Sequence, residues 1–344
     1  MTPLRIVHAV RSDGFAGVEQ FMLRLASAQA EQGHDVTVVG GAAARMRDPL
    51  AAAGARSLPA DRLTDVIRQV RRLPADVVNA HMTAADAGCA IALAGRPRVA
   101  LVSTRHFAGR RGRLGPVPID ALIGRRVDAE ISISRAVAAA TGRPSTVVHT
   151  GIPPAATVAD GESKTVLMVQ RLQPEKRAAV GVEAFLASGL AADGWRLDVV
   201  GKGPERPRLE ALIAAHPHGT AVRLLGVRDD VPQLLARAAL LIAPCPVEGL
   251  GLAVLEAMAH GVAPVAAGAA GHLDLLDGLD DRARFRPDDV GDAAAALQAF
   301  ARDAPRRRRL AAAARERAQT EFSIAAQAAG TEAVYRQAMR RRAG

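Results

Sequence analysis

Two carboxylates, Glu248 and Glu256, lie eight positions apart around a turn that contains Gly249 and Gly251. Within one helix, this spacing would put both side chains on the same face. Because Glu248 precedes the helical pattern, we expect the two to reach different parts of one extended ligand, which the glycines let the backbone approach closely. The structural alternative is that Glu248 is a charge at a helix N-terminus and Glu256 a solvated helix residue.

The surrounding residues predict a strand, a glycine turn, a helix and a second strand. Leu240–Ala243 is a short apolar run that ends at Pro244. Leu252–His260 has helical spacing, Gly261 is placed to cap the helix, and residues 262–266 begin another apolar run. In open α/β sheets, ligands bind at the carboxyl ends of strands, where helix N-termini present free N–H groups. We therefore expect the carboxylates at a ligand-binding edge.

Two cations, Arg171 and Lys176, follow another predicted strand, Lys164–Val169. Only three of the 45 basic residues in the chain are lysines, so the position of Lys176 is informative. Two cations at a strand end can hold a diphosphate and neutralise the charge that grows as it leaves. The competing interpretation is a surface ion pair between Glu175 and Lys176 at the start of a helix.

Two histidines and a basic loop mark the corresponding edge in the first half of the chain. His81 and His106 follow predicted strands 76–80 and 97–103, although each could be a structural hydrogen-bonding residue instead. The loop 105–115 contains four arginines and three glycines. It could bind an anionic group or a membrane surface, or be a solvated loop. Its candidate residues are Arg105, Arg110 and Arg111.

The stretch 243–267 resembles the E-x7-E element of retaining glycosyltransferases of the GT-B fold, in the GT4 family. The family pattern is roughly E-G-F-G-x-x-x-x-E-A-M-A-x-G-x-P-V-V-A. Leu250 stands where the family usually has Phe, and this change leaves the carboxylates and glycines in place. The matching residues are Glu248, Gly249, Gly251, Glu256, Ala257, Met258, Ala259, Gly261, Pro264, Val265 and Ala267.

Shorter stretches resemble other elements of the same family. Residues 170–176 are similar to G-R-L-x-x-E-K, with Gln170 in place of Gly, and Gly201–Pro204 is similar to a G-x-G-P turn. Ala16–Glu19 stands in place of G-G-x-E, and Ser103–His106 is similar to T-x-H. The resemblance covers nearly the whole chain, but it is sharp only from Val166 to Ala267, and the N-terminal half matches at scattered points.

The resemblance implies an α/β protein of the GT-B fold, with two Rossmann-like domains facing each other across a cleft. We expect an N-terminal acceptor-side domain over residues 1–155 and a nucleotide-sugar-binding domain over residues 156–320. Residues 321–344 would form a C-terminal helix that returns to the N-terminal domain.

The function implied by the resemblance is retaining transfer of a sugar from a nucleotide-diphosphate donor, with UDP as the first choice, to an acceptor hydroxyl. The implied catalytic residues are His106, Arg171, Lys176 and Glu248. Donor-binding positions would be Gly17, Gly203, Val227, Gly249, Leu250, Gly251, Leu252 and Glu256, and His81 joins the three arginines on the acceptor side. No cofactor or metal is expected, because arginine and lysine would stabilise the leaving group. The acceptor is open among a glycan, a lipid-linked and a small-molecule substrate.

Composition narrows the partners and the compartment. The net charge of +10 suits anionic membranes or phosphorylated substrates, whereas an aromatic content of 3% argues against nucleic acid. No apolar run approaches the ~18 residues of a membrane span, and no signal-peptide pattern begins the chain. Cys89 and Cys245 suggest neither a metal cluster nor a disulfide framework. We expect a cytoplasmic protein, with peripheral membrane contact as an option for the basic loop.

Three rival functions are weighed against the transferase. A non-hydrolysing nucleotide-sugar epimerase would need several acid–base side chains around the sugar, which we cannot assemble from the sequence. An inactive sugar-nucleotide-binding scaffold is disfavoured by the intact Glu248, Arg171 and Lys176. An NAD(P) oxidoreductase is disfavoured because the first glycine loop lacks G-x-G-x-x-G.

Overall fold

Two parallel β-sheets, each flanked by helices, form the computed structural model, which describes residues 2–114 and 117–343. The chain divides into two units. The N-terminal unit runs to Pro153 and resumes at Ser323, whereas the C-terminal unit is Pro154–Phe322. The last helix therefore belongs to the N-terminal unit, although nearly half of the sequence separates it from the rest of that unit.

The N-terminal unit contains a seven-stranded sheet with the order β3-β2-β1-β4-β5-β8-β9 and a small antiparallel pair, β6-β7. The strands are β1 Arg5–Ala9, β2 Asp35–Val39, β3 Arg56–Leu58, β4 Val77–His81, β5 Ala100–Arg105, β6 Arg113–Leu114, β7 Val117–Pro118, β8 Ala129–Ser132 and β9 Thr146–Val147. Its first six helices are α1 Gly17–Glu31, α2 Ala43–Ala52, α3 Leu63–Arg72, α4 Thr83–Ala92, α5 Ile119–Ile123 and α6 Arg135–Thr141.

The C-terminal unit contains a six-stranded sheet with the order β12-β11-β10-β13-β14-β15. The strands are β10 Thr165–Val169, β11 Arg196–Val200, β12 Val222–Gly226, β13 Leu240–Ala243, β14 Ala263–Ala267 and β15 Arg284–Phe285. The helices are α7 Ala178–Ala187, α8 Arg206–Ala214, α9 Val231–Ala236, α10 Leu252–Ala259, α11 Gly271–Leu276, α12 Val290–Ala301 and α13 Ala304–Thr320. Short 3₁₀ turns lie at Pro174–Lys176, Gly219–Ala221 and Asp281–Ala283.

The strand orders place one topological switch point in each sheet. The first strand of each unit pairs in parallel with the second strand on one side and with a later strand on the other, which gives β1 beside β4 and β10 beside β13. Ligands of doubly wound sheets bind outside the carboxyl ends of the strands at such a point. The loops that follow these four strands are therefore the places to look for function.

Apolar strands and helices build the core of each unit. The central strands are covered on both faces and read as near-continuous apolar runs, as in Val77–His81, where every residue is buried. The α/β class expected from the sequence is confirmed. The sequence pattern did not reveal α4, because its residues are mostly small and show no clear polar face.

The last helix, α14 Ile324–Ala343, packs on the N-terminal unit through Tyr335. This side chain is fully buried, and its hydroxyl accepts a hydrogen bond of 2.7 Å from Asn79 Nδ2 in β4. Asn79 Oδ1 in turn accepts a hydrogen bond of 2.8 Å from the Thr104 hydroxyl in β5. Helix α14 is therefore joined to the centre of the seven-stranded sheet. Among the described residues, no helix is long and apolar enough to cross a membrane.

Candidate active site

The switch point of the six-stranded sheet brings Lys176 and Glu248 together. Lys176 ends the short turn that follows β10, and Glu248 lies in the loop that follows β13. The Lys176 Nζ donates to Glu248 Oε1 at 2.5 Å, and the side chains are 15% and 25% exposed, respectively. The pair is thus formed but open to one side, so that a ligand can still reach both charges.

Gln170 shapes the loop that carries Lys176. Its Nε2 donates to the Lys176 carbonyl at 3.0 Å and closes the loop on itself. Leu172 then joins this loop to the one after β11, because its N–H donates to the Lys202 carbonyl at 2.9 Å. A Cβ on Gly203 would lie 2.2 Å from the Leu172 carbonyl oxygen, so only glycine permits this approach.

Arg171 lies in the same loop but is not part of the Lys176–Glu248 pair. Its side chain is 66% exposed, and its Nη2 lies 3.5 Å from Glu175 Oε1. An exposed ion pair of this kind contributes little to stability and is easily exchanged for another partner. Arg171 can therefore turn toward an anionic ligand at small cost.

The glycine turn after β13 is held by its backbone. The Glu248 carbonyl accepts a hydrogen bond of 3.0 Å from the Gly271 N–H. A Cβ on Gly271 would lie 2.3 Å from the Leu250 Cα, so the segment before α11 packs directly on the turn. Leu250 is buried, so its side chain does not line an open site, and its donor contact stays a prediction.

Sequence reasoning missed His272, whose ring supports the same turn. Its Nδ1 donates to the Ala267 carbonyl at 3.1 Å, and a Cβ on Gly251 would lie 2.5 Å from its Cδ2. Burial lowers the pKa of His272, and the nearby Glu248 carboxylate opposes that shift. The only sequence signal was its position just after a predicted strand end, the same signal that drew attention to His81 and His106.

The remaining predicted donor positions lie around this loop cluster in the C-terminal unit. Leu252 is the first residue of α10, and Glu256 lies one turn further along that helix and is half-buried. Val227 follows β12 and is 62% exposed. Their roles toward a ligand stay predictions.

In the N-terminal unit, His106 borders a pocket of about 160 Å³ at the carboxyl ends of β4 and β5, next to Arg105 and Arg110. His81 is fully buried, and its Nδ1 lies 3.0 Å from His106 Nε2. Burial, together with the neighbouring Arg105 charge, lowers the pKa of His106 to about 3. The pocket therefore meets a neutral imidazole, and His81 reaches it only through His106.

The acceptor-side prediction for Arg111 is wrong, because this guanidinium is buried and fully engaged. Its Nε donates to Asp86 Oδ2 at 2.6 Å, and its Nη1 donates to Asp120 Oδ1 and Glu130 Oε1 at 2.6 and 2.9 Å. Its Nη2 donates to the Ser103 hydroxyl at 2.8 Å. Arg111 therefore fastens the basic loop to the sheet. Gly115, the last residue of that predicted loop, lies outside the described residues.

Gly17 is the first residue of α1, and the tetrad Ala16–Glu19 forms the start of that helix. The Ala16 N–H donates to Glu19 Oε2 at 2.9 Å, which is one half of a capping box, since Ala16 has no side-chain oxygen to accept a bond in return. Glu19 is buried by this interaction. The tetrad thus has a structural role, and the ligand contact of Gly17 stays a prediction.

The two doubly wound units fit the family that the sequence resembles, and comparison with known proteins shows that family directly. Residues 154–317 match the family described as glycosyl transferases group 1, and residues 15–156 match glycosyltransferase family 4. The two matches together run from residue 15 to residue 317, and the chain belongs to this family of GT4-type glycosyltransferases. The predicted family and class of enzyme are confirmed.

Two relatives illustrate the similarity in sequence. The lipopolysaccharide core biosynthesis mannosyltransferase LpsB of Rhizobium meliloti is 29% identical over 236 residues, which cover 63% of this chain and 67% of LpsB. The exopolysaccharide phosphotransferase SCO2592 of Streptomyces coelicolor is 35% identical over 136 residues, or 39% of this chain. This second match spans only 14% of the relative.

The fold is similar to that of Anabaena Alr3699/HepE, whose crystal structure is in complex with UDP and glucose. The TM-score is 0.79 with 19% sequence identity, and the match covers 97% of this chain and all of HepE. This similarity confirms the fold class, GT-B. Metal independence stays a prediction.

Proposed function

We propose that the protein transfers a sugar from a nucleotide-diphosphate sugar to an acceptor hydroxyl, with retention of anomeric configuration and without a metal ion. One observation carries this proposal. Lys176 and Glu248 meet at 2.5 Å at the switch point of the C-terminal sheet, and both remain partly open. A cation held in place by a carboxylate at the end of a strand is suited to a diphosphate that leaves beside a neutral sugar.

In this mechanism, the cations stabilise the leaving group. Lys176 meets one diphosphate oxygen, and Arg171 turns away from Glu175 to meet another. The bond between the sugar C1 and the phosphate oxygen breaks as the acceptor oxygen bonds to C1 on the same face. The proton of the acceptor hydroxyl passes to the departing phosphate oxygen, so no side chain has to remove it.

The other donor contacts follow from the same loops. Glu248 holds Lys176 and accepts hydrogen bonds from sugar hydroxyls, and the backbone from Gly249 to Leu252 lies along the sugar. Glu256 accepts hydrogen bonds from the ribose, and the backbone at Val227 meets the base. We favour UDP as the nucleotide, because HepE, which shares the fold, binds it.

We place the acceptor hydroxyl near His106. The pocket there combines Arg105 and Arg110 with Phe107, which is 57% exposed, and Met82. Basic and apolar side chains around one pocket suit an acceptor that joins a polar sugar or phosphate to an apolar group, as a lipid-linked glycan does. Faster transfer to a lipid-linked than to a free acceptor of the same headgroup would support this placement, whereas equal rates would count against it. Peripheral membrane contact stays a prediction.

A thermal-shift panel tests the donor site. UDP, GDP, ADP and TDP are each added in EDTA and in Mg²⁺ to the wild type, Lys176→Ala and Lys164→Ala. Lys164 is the matched control, because it precedes the same strand β10 at the opposite edge of the sheet and donates to the Asp193 carbonyl.

We expect UDP to raise the melting temperature of the wild type and of Lys164→Ala equally with and without metal. In Lys176→Ala the affinity should fall at least tenfold, since one charge-assisted contact to phosphate is lost. No stabilisation by any nucleotide would contradict the donor site. Stabilisation by GDP alone would change the nucleotide but keep the site.

Retention is tested by proton NMR during turnover of UDP-glucose. The α-anomer should appear first in the product, whereas an inverting enzyme would give the β-anomer. A new nucleotide sugar formed without any acceptor would favour the epimerase instead.

A further inference from the structure

A line of buried polar side chains crosses the N-terminal unit from helix α1 to the His106 pocket. Gln29 Oε1 lies 2.7 Å from His8 Nε2, and His8 Nδ1 lies 3.1 Å from His81 Nε2. His81 Nδ1 then lies 3.0 Å from His106 Nε2. We call these four side chains the histidine relay. Gln29, His8 and His81 are at most 1% exposed, and only His106 borders the pocket.

The three imidazoles of the relay are neutral near pH 7. Burial lowers the pKa of His8 to about 4 and that of His106 to about 3. Burial also lowers the pKa of His81 well below its ordinary value, and its histidine neighbours add to that shift. Phe21 packs edge-on to His106, with ring centroids 4.7 Å apart, and shields the relay from water. Each ring therefore carries one N–H and one bare nitrogen.

The direction of the hydrogen bonds in the relay follows from its inner end. With the Gln29 carbonyl oxygen facing His8, as the structure places it, this oxygen can only accept, so His8 Nε2 carries the proton and His8 Nδ1 is bare. His8 Nδ1 then accepts from His81 Nε2–H, and His81 Nδ1 accepts from His106 Nε2–H. The hydrogen bond accepted by Gln29 therefore leaves His106 with a bare Nδ1.

We infer that Gln29 and His8 are positioning residues that hold His106 in its Nε2–H tautomer, so that Nδ1 accepts a hydrogen bond from a substrate hydroxyl. A bare imidazole nitrogen attracts an O–H donor and repels phosphate or carboxylate oxygens. The Nδ1 position therefore selects an alcohol group, such as a sugar hydroxyl, whereas Arg105 and Arg110 in the same pocket can hold an anionic group. That this hydroxyl belongs to a transferase substrate rests on the proposed function. The tautomer of His106 does not depend on that function.

The tautomer is measured by long-range ¹⁵N–¹H correlation NMR on the full-length protein with ¹⁵N-labelled histidine. The ring signals are assigned by single histidine-to-glutamine variants. At pH 7, we expect His8, His81 and His106 each to show a protonated Nε2 and a bare Nδ1. A protonated Nδ1 on His106, which would follow if the Gln29 amide nitrogen faced His8, would overturn the inference.

Gln29→Met tests the remote control, and Gln32→Met at the exposed end of the same helix is the matched control. Without the glutamine oxygen, His106 should change from one tautomer to a mixture, whereas Gln32→Met should leave the spectrum unchanged. A His106 tautomer that is unaffected by Gln29→Met would also overturn the inference. If Gln29→Met does not fold, the wild-type spectrum still decides the tautomer.

The experiment separates this inference from the proposed function, because it uses no substrate. If His106 has the expected tautomer but the protein binds none of the nucleotides, the relay is supported and the proposed function is contradicted. If the protein transfers sugar but His106 carries its proton on Nδ1, the proposed function is supported and the inference about the relay is overturned.

Discussion

The two units place different chemistry at the same topological position. In the N-terminal unit, the histidines at the edge beside β1 and β4 are neutral, Arg105 and Arg110 line the same pocket, and Arg111 is saturated by carboxylates. In the C-terminal unit, the edge beside β10 and β13 presents the partly open Lys176–Glu248 pair. The fold thus fixes where a site lies, and burial decides whether that site is neutral or charged.

Under the proposed function, this difference would serve two parts of one glycosyl transfer. A diphosphate needs positive charge that remains available to it, which a partly open lysine and an exposed arginine can supply. A sugar hydroxyl needs a neutral hydrogen-bonding group at a defined angle, which buried imidazoles can supply. The chain also offers one reporter for each unit, since its single Tyr335 is buried in the N-terminal unit and its single Trp195 in the C-terminal unit.

The largest expected difference between the units is their response to acid. The pKa of His8 is about 4 in the folded protein against 6.5 when unfolded, so its contribution is present above pH 6.5 and is lost as the pH falls toward 4. His8 alone then costs on the order of 2 kcal/mol at pH 5. The lowered pKa values of His81 and His106 destabilise the N-terminal unit in acid in the same way. In the C-terminal unit, His272 is the only described histidine whose pKa is lowered.

Acid unfolding should therefore start in the N-terminal unit. The Tyr335 second-derivative absorbance should change at a higher pH than the Trp195 fluorescence. After correction for any change in stability at pH 7, His8→Gln should shift the Tyr335 transition to lower pH. His218→Gln on the surface should leave the transition pH unchanged. Coincident transitions of the two reporters would show that the neutral relay does not set the acid response.

The next largest effect is expected for Arg111→Met. This change leaves Asp86 with only Arg105, 3.9 Å away, and Glu130 with only Arg143, 2.9 Å away, and should cost about 3 kcal/mol of unfolding free energy. Urea unfolding followed by Tyr335 should show the loss, and the Trp195 transition should stay in place. Arg110→Met, on the exposed neighbour, is the control. Equal losses of unfolding free energy in the two variants would mean that Arg111 does not hold the loop to the sheet.

A smaller effect, confined to the charged edge, is expected for Gly251→Ala. Gly251 has a φ of 102°, and an added Cβ would meet the His272 ring. Gly278→Ala shares the positive φ but has open space around it, so it isolates the backbone cost. We expect Gly251→Ala to cost about 2 kcal/mol more than the control, measured by Trp195 in urea.

The His272→Ala background sharpens this test. Removing the ring should abolish the excess cost of Gly251→Ala over Gly278→Ala, since only the backbone cost remains. An excess that persists without the ring would assign the strain to something other than His272.

The sequence alone predicted the charged edge better than the neutral one. Glu248, Lys176 and the glycines lie in short stretches with fixed spacing, and local strand–turn–helix rules place them at a sheet edge. The histidine relay joins residues 8, 29, 81 and 106, whose proximity depends on strand order, and the buried state of Arg111 depends on carboxylates far along the chain. His272 was missed for the same reason, because its contact with Gly251 is made only when α11 packs on the turn.

Helix α14 carries a consequence for the order in which the chain matures during synthesis. The N-terminal unit lacks Tyr335, the partner of Asn79, until the whole C-terminal unit, which is one continuous segment, has been synthesised. Domains commonly fold in the order of their synthesis. Here the second unit has all of its residues before the first does, so the half that emerges earliest is the last to be completed.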